Sequence, residues 1–499
     1  LQRVPDLQFV GIADMGKAVD QAQSLAQQLT RSLGDDTGGR RRQRIRGIDF
    51  QIFTSDKAGA DVNDVICVGF KDSLLILGSS VPRIEAVVRQ MDRDSDASLA
   101  SNRAFQTGSR AVGEGEVFLF VNADPIRRMV LDLGADKVKI DRTIGSLGLD
   151  NVTSLAVSWQ IAASRLENVR YKALVGVAGQ KKGIPNLLCP ATAPVRPAER
   201  LSGRDVVLCV VANYDLAKAY DQVAKMAMDI AALDINFFAQ TAMAATGQAE
   251  GQPALNLRND ILSQLSPPLT LSWRMAKPYT DSKNSRTLAS VAVRDADRLD
   301  TGLARIHRTF LAKSQPDLQR KMLDHALYLL PPMPMTSPFL AQMGQVAMEP
   351  KQFAAAIAAD SLAFGEVDAV EQVIRDSQGT PSDPLGSDPT FRYAKRFLPS
   401  EAGAYWYING QRYWEIFWTV LQSEARKAAG RPKPDGAAAK DRDSDEEDFS
   451  PIGEIGQIID LTKLPPFESV RKYFGPTAAY IKEHADGITL EQVDLRSPE

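Results

Sequence analysis

Residues 81 to 105 align without a gap to residues 367 to 391, and this internal repeat constrains the fold more than any other feature of the chain. Val81, Glu85, Val87, Arg89, Leu99, Ser101 and Phe105 recur unchanged as Val367, Glu371, Val373, Arg375, Leu385, Ser387 and Phe391. Chance at average composition gives about one or two identities over such a length. The flanks extend the match. Asp72-Ser73-Leu74 faces Asp360-Ser361-Leu362, Gly78 faces Gly365, and "VFLFVN" ending at Asn122 faces "AYWYIN" ending at Asn409. Further upstream, Val10, Ile12, Asp14, Ala18, Ala22, Leu25 and Leu29 fall opposite Val291, Val293, Asp295, Leu299, Leu303, Ile306 and Phe310. Two copies of one unit are the economical reading.

The periodicities say what the unit is. Ile48, Phe50 and Ile52 alternate as in a half-buried strand, and "VICVGF" and "LLIL" flank Lys71-Asp72-Ser73 like the arms of a tight hairpin. After Gly78, the positions Val81, Ile84, Val87, Val88 and Met91 make a helical stripe, which Val367, Val370, Val373 and Ile374 repeat. A polar loop anchored by Leu99 and Phe105 leads to the strand ending at Asn122. Asn122, Asn213 and Asn409 each close an apolar run before a helical pattern, so they are read as N-caps rather than catalytic groups. "VRKYFGPTAAYI" echoes "ILSQLSPPLTLSW", with Phe474 and Pro476 opposite Leu265 and Pro267, so the tail is expected to begin another round of the pattern.

The expected fold class is α+β, a duplicated unit of antiparallel strands with helices packed on one face. The expected division is repeat unit one at 1–135, a middle α+β segment at 136–284, repeat unit two at 285–425 and a C-terminal segment at 453–499. Residues 426–452, polar and poor in large apolar groups, read as a disordered linker. At 499 residues the chain exceeds what one core usually organises.

Charge and cysteine usage exclude more than they assert. The net charge of −3 gives no global field to draw in nucleic acid. The basic run Arg40, Arg41, Arg42, Arg44 and Arg46 lacks interleaved aromatics and reads as a solvated loop. Leu216 to Ala245 is interrupted by Lys218, Asp221, Lys225, Asp229 and Asp234, so no membrane span is expected in the chain. Cys67, Cys189 and Cys209 lack the close spacings of a zinc site or redox pair, and whether Cys189 and Cys209 are bridged stays open. The sequence opens at Leu1 without a signal peptide, so its start says nothing of localisation.

No motif assigns a catalytic, cofactor-binding or metal-binding residue. "GIADMGKA" (residues 11–18) spells most of a phosphate loop, but Ala18 has no hydroxyl for magnesium, and the aligned stretch from Ala292 has neither the glycine nor the lysine. His307, His325 and His484 do not share a metal-binding spacing. There is no G-x-S-x-G elbow. "DRDSD" at 92–96 and again at 441–445 lacks the glycine and distant glutamate of a calcium loop and reads as a solvated acidic turn.

The hairpin from Asp72 to Gly78, the helix from Val81 to Val88, Leu99, Phe105 and the strand from Phe118 to Asn122, each with its partner in the second copy, together resemble an uncharacterised bacterial envelope protein family known only as a domain of unknown function, here in two tandem copies. The resemblance covers about half the chain. It implies a fold and a periplasmic or extracellular address, and it transfers no active-site residue. The function expected is a non-enzymatic scaffold or binding protein of the bacterial envelope, with a protein or an apolar ligand as partner. The alternatives are a hydrolase with an unrecognised carboxylate site in the middle segment and a carrier of an apolar ligand. Duplication without matching polar groups favours the scaffold, since a site built from the repeat would show reactive residues in both copies.

Overall fold

The computed structural model describes residues 10–21, 23–24, 39–54, 65–92, 98–134, 136–162, 164–195, 202–248, 251–312, 318–332, 350–379, 384–429 and 463–498. Contacts divide the chain into two compact units, Leu1–Gln106 and Thr107–Glu499. The fold is α+β with antiparallel sheets.

The first unit holds β1 (Val10–Asp14), β2 (Gly39–Ile45), β3 (Ile48–Thr54), β4 (Val65–Lys71) and β5 (Leu74–Gly78) in the order β1-β5-β4-β3-β2. Tight turns set this meander. Arg46 and Gly47 both take positive φ between β2 and β3, and Asp72 does so between β4 and β5. The helix Val81–Met91 lays Ile84 and Val88 on Phe50, Ile52, Cys67 and Ile76. Burial of each of those two helix side chains is worth about 2 kcal/mol. The arginine run is not a loop. Its members from Arg40 to Arg44 lie in β2, the last strand of the sheet, where Arg41, Arg42 and Arg44 are exposed and oppose pairing with another strand.

The second unit contains β6 (Val117–Asn122), β7 (Val152–Ile161), β8 (Glu167–Val177), β9 (Ala193–Pro194), β10 (Val206–Ala212), β11 (Leu265–Met275), β12 (Ser285–Val293), β13 (Gln319–Met322), β14 (His325–Leu329), β15 (Phe353–Ala358), β16 (Ser361–Glu366), β17 (Glu401–Ala402), β18 (Ala404–Ile408), β19 (Thr477–His484) and β20 (Gly487–Leu495). Thirteen of them form one sheet in the order β13-β14-β15-β16-β12-β11-β10-β18-β19-β20-β8-β7-β6, and β9 pairs with β17.

Two patterns recur in this order. β12, β16, β15, β14 and β13 follow one another as β1, β5, β4, β3 and β2 do in the first unit. Each run is then followed by a helix, a 3-10 turn and a second helix: Val81–Met91, Leu99–Ser101 and Arg103–Val112 in one, Val367–Ser377, Leu385–Ser387 and Pro389–Lys395 in the other. The second pattern is a strand, a helical excursion and a hairpin. It occurs as β6-β7-β8, as β10-β11-β12 and as β18-β19-β20. The tail therefore completes such a run rather than beginning one.

The strands do not follow the upstream alignment. The Met15 amide donates to the Ser73 carbonyl at 2.8 Å, and the Val293 amide donates to the Asp360 carbonyl at 2.9 Å. Val10 lies across from Gly78, and Leu288 across from Gly365, so Val10 corresponds in the ladder to Leu288 and not to Val291. Asp72-Ser73 forms one hairpin turn and Ala359-Asp360 the other, so the shared Asp-Ser-Leu triplets are also out of step. The shift is three residues, an odd number, so the sequence match also exchanged the two faces of the strand, and only the hydrogen-bond register shows it.

Boundaries at 135 and 284 do not separate compact units: β6 before 135 pairs with β7 after it, the middle segment and the second repeat share one hydrogen-bonded sheet, and the division falls between Gln106 and Thr107. Of the linker expected at 426–452, residues 426–429 finish the helix Gly410–Ala429, and the rest lies outside the described residues. The helical face expected at Ala22, Leu25 and Leu29 also lies outside them. Leu385 is wholly buried among Val206, Cys209, Phe391 and Tyr407, whereas its counterpart Leu99 is 52% exposed.

Candidate functional site

A cleft of about 390 Å3 opens in the larger unit where β10 ends. β10 is an apolar run held between β11 and β18, and it stops where the helix Leu216–Ala231 begins, which brings Asn213, Tyr214 and Asp215 to the cleft wall. Lys181, Cys189 and Glu483 line the same space. Asn213 is not a helix cap. Its side-chain amide donates to the Ala402 carbonyl at 2.9 Å, and Asp215 caps the helix by accepting from the Lys218 amide at 3.1 Å. The carboxylate at the start of the helix suits the orphan amides there better than an asparagine two residues earlier.

Three further polar groups of the cleft, Lys181, Glu483 and Tyr214, are engaged. Lys181 Nζ lies 2.6 Å from Glu483 Oε1, and the Tyr214 hydroxyl donates to the Leu187 carbonyl. Burial pushes the Cys189 thiol up, the Glu483 carboxylate adds to that, and Lys181 opposes both. A nucleophilic cysteine needs the reverse, a thiolate favoured by its surroundings. Cys67 and Cys209 are buried free thiols, and burial holds Cys209 up at about 12. Cys189 is also free, so it does not bridge to Cys209.

A second cleft, of about 680 Å3, lies near the C-terminal hairpin and is lined by Asn168, Gln411, Glu468, Arg471 and Arg496 among others. Arg471 packs its guanidinium 5.7 Å from the centre of the Phe467 ring and pairs with Glu468 at 2.8 Å and Glu415 at 3.4 Å. Phe474 stacks on Trp414 at 5.0 Å, and Glu415 also holds Lys277 at 2.7 Å. These groups fasten the helix Gly410–Ala429 to the segment before β19.

The residues singled out in the sequence do not converge. Gly11 to Asp14 are strand residues of β1, whose amides alternate in direction rather than turning toward one point as a phosphate cradle requires. Asp14 accepts from the Ser73 hydroxyl at 2.7 Å and the Gly16 amide at 2.9 Å, which lowers its carboxyl. Its aligned partner Asp295 instead caps a helix, accepting from the Arg298 amide at 3.0 Å.

Buried His307 meets the Leu329 carbonyl at 3.0 Å, His325 meets that of Ile357 at 2.8 Å, and His484 accepts from the Asp486 amide at 3.2 Å. Among the described residues, no group of three or more His, Cys, Asp or Glu side chains is arranged to hold a metal ion. Asp92, at the head of the first acidic turn, pairs with Lys71 at 2.7 Å, while residues 93–97 and 441–445 lie outside the described residues. Asn122 and Asn409 do cap helices, accepting from the Asp124 amide at 3.1 Å and the Arg412 amide at 3.2 Å.

One feature escaped the sequence reading. The run from Leu216 to Ala245 is two helices, Leu216–Ala231 and Ile235–Gln248, broken where Ala232 takes a left-handed φ. The second helix contains no charged residue, and at its start Phe237 and Phe238 are 60% and 56% exposed. The legible signal was adjacent aromatics inside an uncharged run. Among the described residues, no helix is long and apolar enough to cross a membrane. The chain matches no family model, no curated protein and no solved structure.

Proposed function

We propose that the chain is a non-enzymatic binding scaffold of the bacterial envelope, built from a duplicated α+β unit, which docks a protein partner on the tip of the helical pair 216–248. The observation behind this reading is the exposure of Phe237 and Phe238, stacked edge to face at 5.8 Å, on a helical pair that also exposes Val223, Met228 and Leu233. Two aromatic side chains hide about 150–250 Å2 each when covered, which is the size of an interface anchor. A lipid surface fits less well. Helices that lie on anionic membranes present Lys and Arg beside their apolar face, whereas Ile235–Gln248 has neither and is capped by Asp234. The partner is therefore a protein with an apolar groove. The envelope address rests on the family resemblance alone.

The test is a photo-crosslinking side chain at position 238 in producing cells, with Arg128 as an exposed polar control. The expected product is one discrete protein adduct at 238, lost when Phe237→Ser is added. An adduct of lipid mass, or equal labelling at 128, overturns the reading. Cell fractionation checks the address independently.

A further inference from the structure

β2 and β13 hold corresponding places in the two strand runs, and both are cationic, but their charges are disposed differently. In β13, Arg320 pairs with Glu371, and Lys321 lies 4.0 Å from Asp324. In and just after β2, Arg41, Arg42, Arg44 and Arg46 are all exposed, and among the described residues none of the four is paired with a carboxylate. Glu85, which aligns with Glu371, is exposed and makes no such pair. Asp92 feels the charge of Arg46, but its carboxylate is held by Lys71 at 2.7 Å. The unit folds with its cations neutralised at this place, so four unpaired arginines in one copy need another reason.

Register spreads them over both faces of the sheet. Arg42 lies across from Gln51 and Arg44 from Asp49, on the face away from the helix Val81–Met91. Arg41 lies across from Ile52, on the helix face, and Arg46 stands in the turn. Arg41 and Arg44 are three residues apart, about 10 Å along a strand, which is about one screening length at moderate salt. The four charges therefore act as one field. Asp49 is the one acidic residue between Gly39 and Thr54. Protection of an edge against further pairing falls especially to Lys. A guanidinium instead offers a planar fork that takes two oxygens of one phosphate.

We infer that the small unit uses these arginines to bind the headgroups of an anionic lipid bilayer, with β2 and the Arg46-Gly47 turn toward the surface. The occupant has to meet charges on both faces of the sheet and at its turn, and a broad anionic surface approached by the end of the sheet does so. A single nucleic-acid strand follows one face only. Its bases would also lack a platform, since Phe50 and Phe53 on β3 are 0% and 3% exposed. Each arginine at such a surface gives about a fivefold gain in partitioning, so the four together give roughly several hundredfold. The inference rests on the charge pattern and not on the protein partner proposed for the helical pair, so either can fail alone.

The test is flotation of the full chain with phosphatidylcholine vesicles containing phosphatidylglycerol, against vesicles of phosphatidylcholine alone. Binding is expected to the anionic vesicles only and is expected to disappear in molar salt. Arg42→Gln with Arg44→Gln should weaken it by about 25-fold, and Arg41→Gln with Arg46→Gln by a similar factor, because a surface reaches both faces. Lys139→Gln with Lys472→Gln removes the same net charge from exposed sites of the large unit and is expected to leave binding unchanged. All six side chains are exposed, so the circular dichroism spectra should match. Failure to float with the anionic vesicles overturns the proposal, as does equal binding to the neutral ones or binding that survives loss of either arginine pair. Sensitivity to one pair alone would point instead to a nucleic acid or an acidic protein lying along one face.

Discussion

Arg170 and Glu167 form a two-point ion pair, with Nη2 to Oε1 at 2.6 Å and Nε to Oε2 at 3.0 Å, around a carboxylate only 6% exposed. The remaining guanidinium nitrogen crosses from β8 to Glu491 on β20 at 2.6 Å, and Tyr480 on β19 donates to the same glutamate at 2.7 Å. The network fastens three strands of the large sheet through side chains as well as through the backbone.

The hydrogen bonds from Arg170 hold the Glu167 carboxyl below its ordinary value, against the opposing effect of burial. A lowered folded value means that this stability is present above the unfolded value of about 4.3 and is lost as pH falls through the folded one. Glu167→Gln is expected to cost about 2 kcal/mol at pH 7, less than the roughly 3–5 kcal/mol of a fully broken buried pair because Arg170 keeps Glu491. Urea unfolding of both proteins checks this. The gap between them should narrow below pH 4, and a gap constant with pH would show that the pair adds no ionic stability.

Lys351 and Glu366 make a second, almost wholly enclosed pair. Lys351 Nζ donates to the Ser285 carbonyl at 2.7 Å and approaches Glu366 Oε1 at 3.4 Å, while Glu366 Oε2 accepts from the Thr287 amide at 2.6 Å. Lys351→Ala leaves that carboxylate without its counter-charge and is expected to cost about 3 kcal/mol. Lys351→Met combined with Glu366→Gln should recover most of the loss, since the amide oxygen still accepts from Thr287. A double-mutant cycle with no coupling would refute the pairing.

What was legible in the sequence depended on the kind of regularity that carried it. The helical stripes at Val81 and Val367 and the turns at Leu99 and Leu385 begin at aligned residues in the structure, because a helix start and a loop leucine fix an offset. A short apolar strand fixes no register, and Val10 was matched three residues away from its true counterpart Leu288, on the opposite face of β12. The arginine run hid an edge strand because exposed positions on both faces erase the alternation. That β10 lies beside β18 and β20 beside β8 is written in no local pattern, so one sheet was divided at residue 284. The cleft was illegible for the same reason: Lys181, Cys189, Asp215 and Glu483 share no spacing and meet only through strand order.

Gly365 recurs with Gly78 for a reason the second unit makes concrete. A Cβ on Gly365 would stand 2.3 Å from the Thr287 carbonyl oxygen on the neighbouring strand. The obstacle is the backbone of β12 rather than a flexible side chain, so Gly365→Ala is expected to destabilise by about 3 kcal/mol. Gly11→Ala in β1 meets nothing within 4 Å and should be neutral or slightly stabilising. Thermal melts of the two variants should therefore move apart, and equal behaviour would contradict the close approach of β12 and β16.

The last prediction concerns the thiol of the cleft. Burial raises Cys189 first, the Glu483 carboxylate raises it further, and Lys181 lowers it. Alkylation by iodoacetamide proceeds through the thiolate, so its rate at pH 8 should be slower than that of an ordinary thiol and should keep rising beyond pH 9. Changing the charges separates the causes. Glu483→Gln removes a raising charge and leaves Lys181 unpaired, so the reactive thiolate should form at lower pH and alkylation at pH 8 should quicken. Lys181→Ala removes the lowering charge and should slow it. The opposite order would place the dominant field at Cys189 somewhere other than this ion pair, and a thiolate already formed at pH 7 in the unaltered chain would restore the cleft as a candidate for covalent chemistry.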